Sequence, residues 1–174
     1  MKRKQHNRML LLALTLLFGL FAYESVGQEI DRTRVEKFDL QSFLGRWYEI
    51  ARLDHRFERG MTDVVAEYKM LPNGKIEVIN SGLKDGKRSV ARGKAKLTDT
   101  PAHLRVSFFW FFYADYNILA MGDSGEWALI GSRSPKYLWI LSRTPTLPEA
   151  TLQHIVAIAH KRGYNTAKLI YDND

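Results

Sequence analysis

The sequence predicts an all-β fold: an eight-stranded antiparallel up-and-down β-barrel with one external α-helix near the C-terminus. Three observations point there. From residue 45 the chain breaks into runs rich in Val, Ile, Tyr, Phe and Trp, at roughly ten-residue spacing. The links between runs are short and carry the Gly, Asn, Asp or Pro of tight reversals. After residue 143 the apolar period changes from that of a strand to that of a helix.

The runs, in order, are GRWYEIAR (45–52), TDVVAEYKM (62–70), KIEVINSG (75–82), SVARGKAKL (89–97), HLRVSFF (103–109), YNILAM (116–121), EWALIGS (126–132) and YLWILSR (137–143). Short links favour antiparallel neighbours, and closing the sheet removes its two exposed edges. Thr146 and Glu149 have capping-box spacing and Pro148 sits in a first turn. Leu152, Ile155, Val156 and Ala159 then recur at helical spacing before Gly163, which gives a helix of about 15 residues. Its apolar face is expected on the outside of the barrel. AKLIY (167–171) reads as a short final strand.

Ahead of this domain, Lys2, Arg3, Lys4 and Arg8 precede an apolar run from Met9 to Ala22. That pattern fits a signal peptide over residues 1–27, leaving one domain over 28–174. Ser25 and Gly27 suit cleavage before Gln28; cleavage after Ala22 and retention as a membrane anchor are the alternatives. The expected location is the periplasm or cell envelope. The chain has no cysteine, so neither thiol chemistry nor a lipid anchor through cysteine is expected. The net charge is +7, but residues 1–27 hold four of the 26 Lys and Arg residues and one of the 19 Asp and Glu residues. The remainder is mildly basic without long basic runs, which argues against nucleic acid and for an anionic small ligand or a membrane surface.

Period-two alternation assigns the faces of each strand. In SVARGKAKL the charged residues Arg92, Lys94 and Lys96 must face water, so Ala91, Gly93 and Ala95 leave the inner side almost bare. Small inward residues opposite large ones fit either a packed core or a ligand cavity. The expected ligand-binding lining is Tyr68, Val78, Asn80, Ala91, Gly93, Val106, Phe108, Tyr116, Ile118, Tyr137, Trp139 and Leu141. Val64, Ala66, Ile76, Leu104, Ala120, Trp127 and Leu129 are expected to share the inner face. The set is mostly apolar with a few hydroxyl, amide and indole groups, suiting a long apolar molecule with few polar contacts. Alternation also puts Glu49 inside beside Trp47, where a carboxylate needs a partner. Asn80, Tyr68 and Tyr116 are the candidates.

GRWYEIARLDHRFERG (45–60) together with YLWILSRTP (137–145) resembles the lipocalin family, and within it the bacterial outer-membrane branch and its apolipoprotein D-like relatives. The resemblance covers about residues 36–171 and rests on Gly45, Trp47 and Arg143, which match the family's G-x-W and its arginine at the end of the last barrel strand. It implies a structural pair at the closed end, with the guanidinium over the indole. It also implies binding, storage or transport of a small hydrophobic ligand in the cavity, a fatty acid or lysophospholipid, with no metal and no cofactor. Two departures stand out. The family's Thr-Asp-Tyr between the sixth and seventh strands is replaced by Asp123, Ser124 and Gly125, and the anchoring cysteine common in the bacterial branch is missing.

If the first strand starts at the closed end, LDHRFERG and WFFYAD are links at the open end. Arg56, Arg59 and His55 would there meet an anionic head group, and Trp110, Phe111 and Phe112 would gate an acyl chain, touch a membrane or meet a second subunit in a homodimer. No G-x-S-x-G elbow or His pair at ligand spacing is present, so a non-enzymatic binding module is expected. A lipocalin-type enzyme acting on a sequestered lipid is the alternative.

Overall fold

The computed structural model describes residues 29–109 and 111–172. The expected signal peptide and Trp110 lie outside them. The described strands are β1 (Gly45–Leu53), β2 (Met61–Met70), β3 (Ile76–Lys84), β4 (Lys87–Leu97), β5 (His103–Phe109), β6 (Phe112–Met121), β7 (Trp127–Gly131), β8 (Leu138–Ser142) and β9 (Leu169–Tyr171). Sequence neighbours pair antiparallel from β2 to β8, and β1 pairs with both β8 and β2. The eight strands β1 to β8 therefore form a closed antiparallel barrel. A short helix, α1 (Leu40–Phe43), precedes it, and α2 (Glu149–Lys161) follows it.

The floor is built around one indole. Trp47 is fully buried and donates from Nε1 to the Phe43 carbonyl at 2.8 Å, while the rings of Phe43 and Trp47 lie 5.1 Å apart. Arg143 covers the other side, its Cζ 3.7 Å from the Trp47 ring centroid. It also donates to the carbonyls of Arg46, at 2.8 Å, and Ser42. Gly45 turns the chain from α1 into β1 at φ +92, a left-handed conformation that side chains resist. Asp39 caps α1 by accepting from the backbone N–H groups of Gln41 and Ser42.

Two register shifts decide which residues face inward. In β1 the pairing with β8 slips between Glu49 and Ala51. Ile50 and Ala51 consequently both face outward, into the cluster under α2, and Glu49 and Arg52 both turn in. In β6 the pairing with β7 slips between Ile118 and Ala120, so Ile118 joins the inner cluster and Leu119 the outer one. The outer cluster packs Leu119, Leu129, Leu138 and Ile140 against Ile155 and Ala159 of α2, all within 1% of complete burial. Each large side chain so buried contributes about 1.5–3 kcal/mol.

Several sequence expectations shift here. Trp127, Leu129 and Ala120 belong to the outer cluster, and Ala128 and Ile130 face inward instead. β7 is apolar on both faces because α2 covers its outside, so alternation could not tell the faces apart. WFFYAD is not a link: β6 begins at Phe112, which pairs with Phe109 across a tight hairpin. The capping box does not form. Pro148 is the N-cap residue of α2, with no side-chain cap, so Thr146 lies two residues too early. The final strand is shorter than expected because a 3-10 turn occupies Thr166–Lys168.

Arg143→Ala removes the cation–π contact and two charge-assisted hydrogen bonds, a loss of about 2–3 kcal/mol. The melting temperature is expected to fall by about 5–10 °C in a thermal scan. Ligand affinity measured on the same sample should move far less.

Candidate ligand-binding site

Inside the barrel, paired residues share a face, so β3 and β4 place Asn80 opposite Ala91 and Val78 opposite Gly93. A Cβ on Gly93 would lie 2.6 Å from the Ser107 carbonyl and 2.8 Å from Phe108 Cδ1, so only glycine lets that ring fold against the wall. The twelve residues expected to line a cavity divide by burial. Tyr68, Val78, Val106, Ile118 and Leu141 are buried, in the cluster that contains Trp47. Asn80, Gly93, Phe108, Tyr116, Tyr137 and Trp139 are half-buried, and Ala91 is exposed. Tyr137 stacks on Trp139, with centroids 6.0 Å apart and planes at 18°. The lower interior is filled, and the side chains of the upper interior, largely aromatic, are only half-buried.

A buried polar network occupies one side of the upper interior. Arg52 Nη1 lies 2.6 Å from Glu49 Oε1, with both side chains at most 3% exposed. Its Nη2 donates to the carbonyls of Glu58 and Met61, at 3.1 and 3.0 Å. Arg52 thereby bridges β1 and β2 beyond Tyr48 and Val65, where their direct pairing stops. The β1–β2 link (54–60) turns His55 and Glu58 inward while Arg56, Phe57 and Arg59 stay at the rim. Glu58 accepts from Trp139 Nε1 at Oε2, 3.0 Å, and from Asn80 Nδ2 at Oε1, 3.4 Å, and His55 Nε2 lies 3.0 Å from the same Oε2. The Glu49 partner is thus Arg52, and none of the three expected candidates. Asn80 serves Glu58, while the hydroxyls of Tyr68 and Tyr116 bond each other at 2.6 Å.

Electrostatics follows from this packing. Burial, reinforced by the charge of Glu58, pushes the Glu49 carboxyl up to about 8 against the pull of Arg52. For Glu58 burial also disfavours charge, but hydrogen bonds from His55 and Trp139, with Arg52 nearby, outweigh it and hold this carboxyl below its ordinary range. Burial raises both Tyr68 and Tyr116, which keeps the phenols neutral. Arg52 escaped the sequence reading because a bulge is invisible to strict alternation, and Glu58 because it turns inward from a link. One signal was available: in Glu49-Ile50-Ala51-Arg52 two adjacent apolar residues separate two charges, which suits a strand that turns both apolar residues outward.

At the rim, Arg59 pairs with Asp54 at 2.8 Å and the Arg56 guanidinium lies 4.7 Å from the Phe57 ring centroid; both arginines are exposed. His55 is buried instead of facing solvent. Phe111 and Phe112 are 70% and 72% exposed at the β5–β6 tip. A separate groove of about 700 Å³ lies outside the barrel, among Arg34, Leu119, Trp127, His154 and Arg162. It is shallow and open, and the aromatic wall and the carboxylate network are both elsewhere.

Ionisation of Glu49 above its ordinary value of 4.5 costs stability in the fold, since its folded value is raised to about 8. Stability from urea titrations should therefore fall as pH rises through that window, by up to about 1.4 kcal/mol per pH unit. In Glu49→Gln this loss should vanish. Glu58, shifted the other way, contributes stability that disappears only below the window as pH falls.

The comparisons with known proteins agree with this geometry. Residues 38–174 match the family model described as a lipocalin-like domain. The chain is 41% identical over 166 residues to the outer membrane lipoprotein Blc of Escherichia coli K12, covering 93% of this chain and 94% of that one. It is 34% identical to apolipoprotein D of Mus musculus, over 92% of each. Among solved structures, insecticyanin of the tobacco hornworm Manduca sexta shares the fold, with a TM-score of 0.68 at 24% identity over 83% of this chain and 85% of that one. Floor pair, closed barrel, outer helix and relatives converge, and the chain belongs to the lipocalin family, whose members bind small hydrophobic ligands.

Proposed function

We propose that the protein carries a single-chain amphiphilic lipid, a fatty acid or lysophospholipid, with its acyl chain in the upper barrel and its head group at the rim. The observation that carries this reading is the half-buried wall of Phe108, Tyr116, Tyr137 and Trp139 facing the bare inner side of β4 at Ala91 and Gly93. An eight-stranded barrel has room for one small ligand, and aromatic walls suit an apolar chain. The orientation follows from charge. Arg52 is already engaged with Glu49 and the Glu58 carbonyl, and the ionised Glu58 carboxylate repels a second anion. An anionic head group is better served by Arg56 and Arg59 outside, so the tail enters first.

Binding rather than turnover is the role we assign, as is general for lipocalins. The outer membrane relatives support placement in the cell envelope. With no cysteine in the sequence, we assign that placement without a cysteine-linked lipid.

Trp139→Ala should weaken fatty-acid affinity about tenfold, the loss of one buried aromatic contact of about 1.4 kcal/mol, read by displacement of a fluorescent fatty acid. Unchanged affinity would remove the upper barrel as the site. Reversing both rim charges, Arg56→Glu with Arg59→Glu, should weaken anionic lipids selectively; an equal loss for a neutral monoacylglycerol would take the head group away from these arginines. Mass spectrometry of lipid co-purified with the folded protein tests the class directly, with unaltered single-chain lipid as the expected result.

A further inference from the structure

The two ends of the barrel differ in chemistry. At the open end, the β5–β6 hairpin exposes Phe109, Phe111 and Phe112 by 63%, 70% and 72%, and Phe57 on the β1–β2 link is 51% exposed. Buried burdens explain none of this, because the inner and outer clusters are complete without these rings. Contiguous exposed aromatics at one tip mark an interaction surface. They stand among exposed cations: Arg56 and Arg59 on the β1–β2 link, Lys84, Lys87 and Arg88 at the β3–β4 hairpin, and Arg133 and Lys136 between β7 and β8. Exposed carboxylates at that end are Asp54, which is paired with Arg59, and Asp63 and Asp85. The floor is mixed: exposed Lys37, Arg46 and Lys75 stand with Glu36, Asp39, Asp99, Asp123 and Glu126, and the Arg143 guanidinium covers Trp47.

We propose that the barrel mouth docks onto an anionic lipid bilayer, with the Phe109, Phe111 and Phe112 tip seated at the headgroup boundary inside a ring of rim cations. Aromatic side chains prefer that boundary, and each basic residue near an anionic surface adds attraction. The charge of the mouth selects this occupant and fixes its direction: the cationic, aromatic mouth faces the membrane, and the floor, where Lys37, Arg46 and Lys75 offset the carboxylates, faces away. A second copy of the chain would instead bring two cationic mouths together, a repulsive arrangement. Docking of this kind puts the cavity opening against the lipid surface. It does not depend on which ligand fills the barrel.

The cysteine-free sequence makes the test direct, because a single introduced cysteine is the only site a thiol dye can reach. Phe111→Cys at the mouth and Lys75→Cys at the floor are each labelled with an environment-sensitive fluorophore and mixed with vesicles of phosphatidylcholine alone or with added phosphatidylglycerol. The mouth label should shift to the blue on anionic vesicles only, the floor label should not respond, and added salt should reverse the shift. Adding Lys87→Glu and Arg88→Glu to the mouth-labelled protein should weaken vesicle affinity about tenfold while leaving lipid-ligand affinity unchanged. No shift at position 111, an equal shift on neutral vesicles, an equal response at position 75, or a shift that grows with protein concentration in the absence of vesicles would overturn the proposal, the last by showing that a second copy covers the tip.

Discussion

The slip of one residue in β1, between Glu49 and Ala51, is the constraint on which the interior depends. A regular strand would send Arg52 to the outside and leave the Glu49 carboxylate alone in the barrel, a cost of several kcal/mol for an unpaired buried charge. With the bulge, Ile50 and Ala51 both serve the cluster beneath α2, and the guanidinium enters the barrel beside the carboxylate that needs it. From there Arg52 holds the Glu58 and Met61 carbonyls. Its effect reaches the link that partly roofs the cavity.

The upper interior is consequently two-sided. Along β1, the folded link and β3, the wall is made of Glu49, Arg52, Glu58 and Asn80 in mutual contact, with the Trp139 N–H drawn into the same network. Across from it stand Phe108, its ring folded over Gly93, and Tyr116. The network is not closed, since Arg52 Nε and Asn80 Oδ1 are buried without a hydrogen-bond partner among the described residues.

Most of the fold was legible in the sequence, and the parts that were not share one cause. Gly45, Trp47 and Arg143 could be joined because together they resemble the lipocalin motif, and the cation over the indole fits that resemblance. The inward faces of β3, β4 and β8 followed from alternation because charged residues mark the solvent side or a regular register carries the pattern through. Where α2 covers the barrel, both faces of β7 are apolar, and alternation loses its reference; Trp127 and Leu129 were misplaced for that reason. At the bulges the period itself breaks, which hid Arg52. The inward fold of Glu58 depends on partners from β1, β3 and β8, and no local pattern encodes a contact across 81 residues, as between Trp139 and Glu58.

The C-terminal strand carries a consequence for how the molecule is made. β9 takes the edge of β1 at Ala51–Leu53, the N–H of Asp172 bonds the Ile50 carbonyl, and its carboxylate accepts from the Val64 N–H, 108 residues away. The seam between β1 and β2 is therefore finished by the last residues described. A chain emerging from its N-terminus can zip the hairpins from β2 to β8 early, since each joins sequence neighbours. The closure of β1 on β8, strands at opposite ends of the barrel sequence, must wait, and until it forms the half-built sheet presents two bare edges. A shortened tail would leave the β1 edge at Ala51–Leu53 uncovered and the Val64 N–H without its carboxylate, an exposed strand of the kind that other chains can pair with.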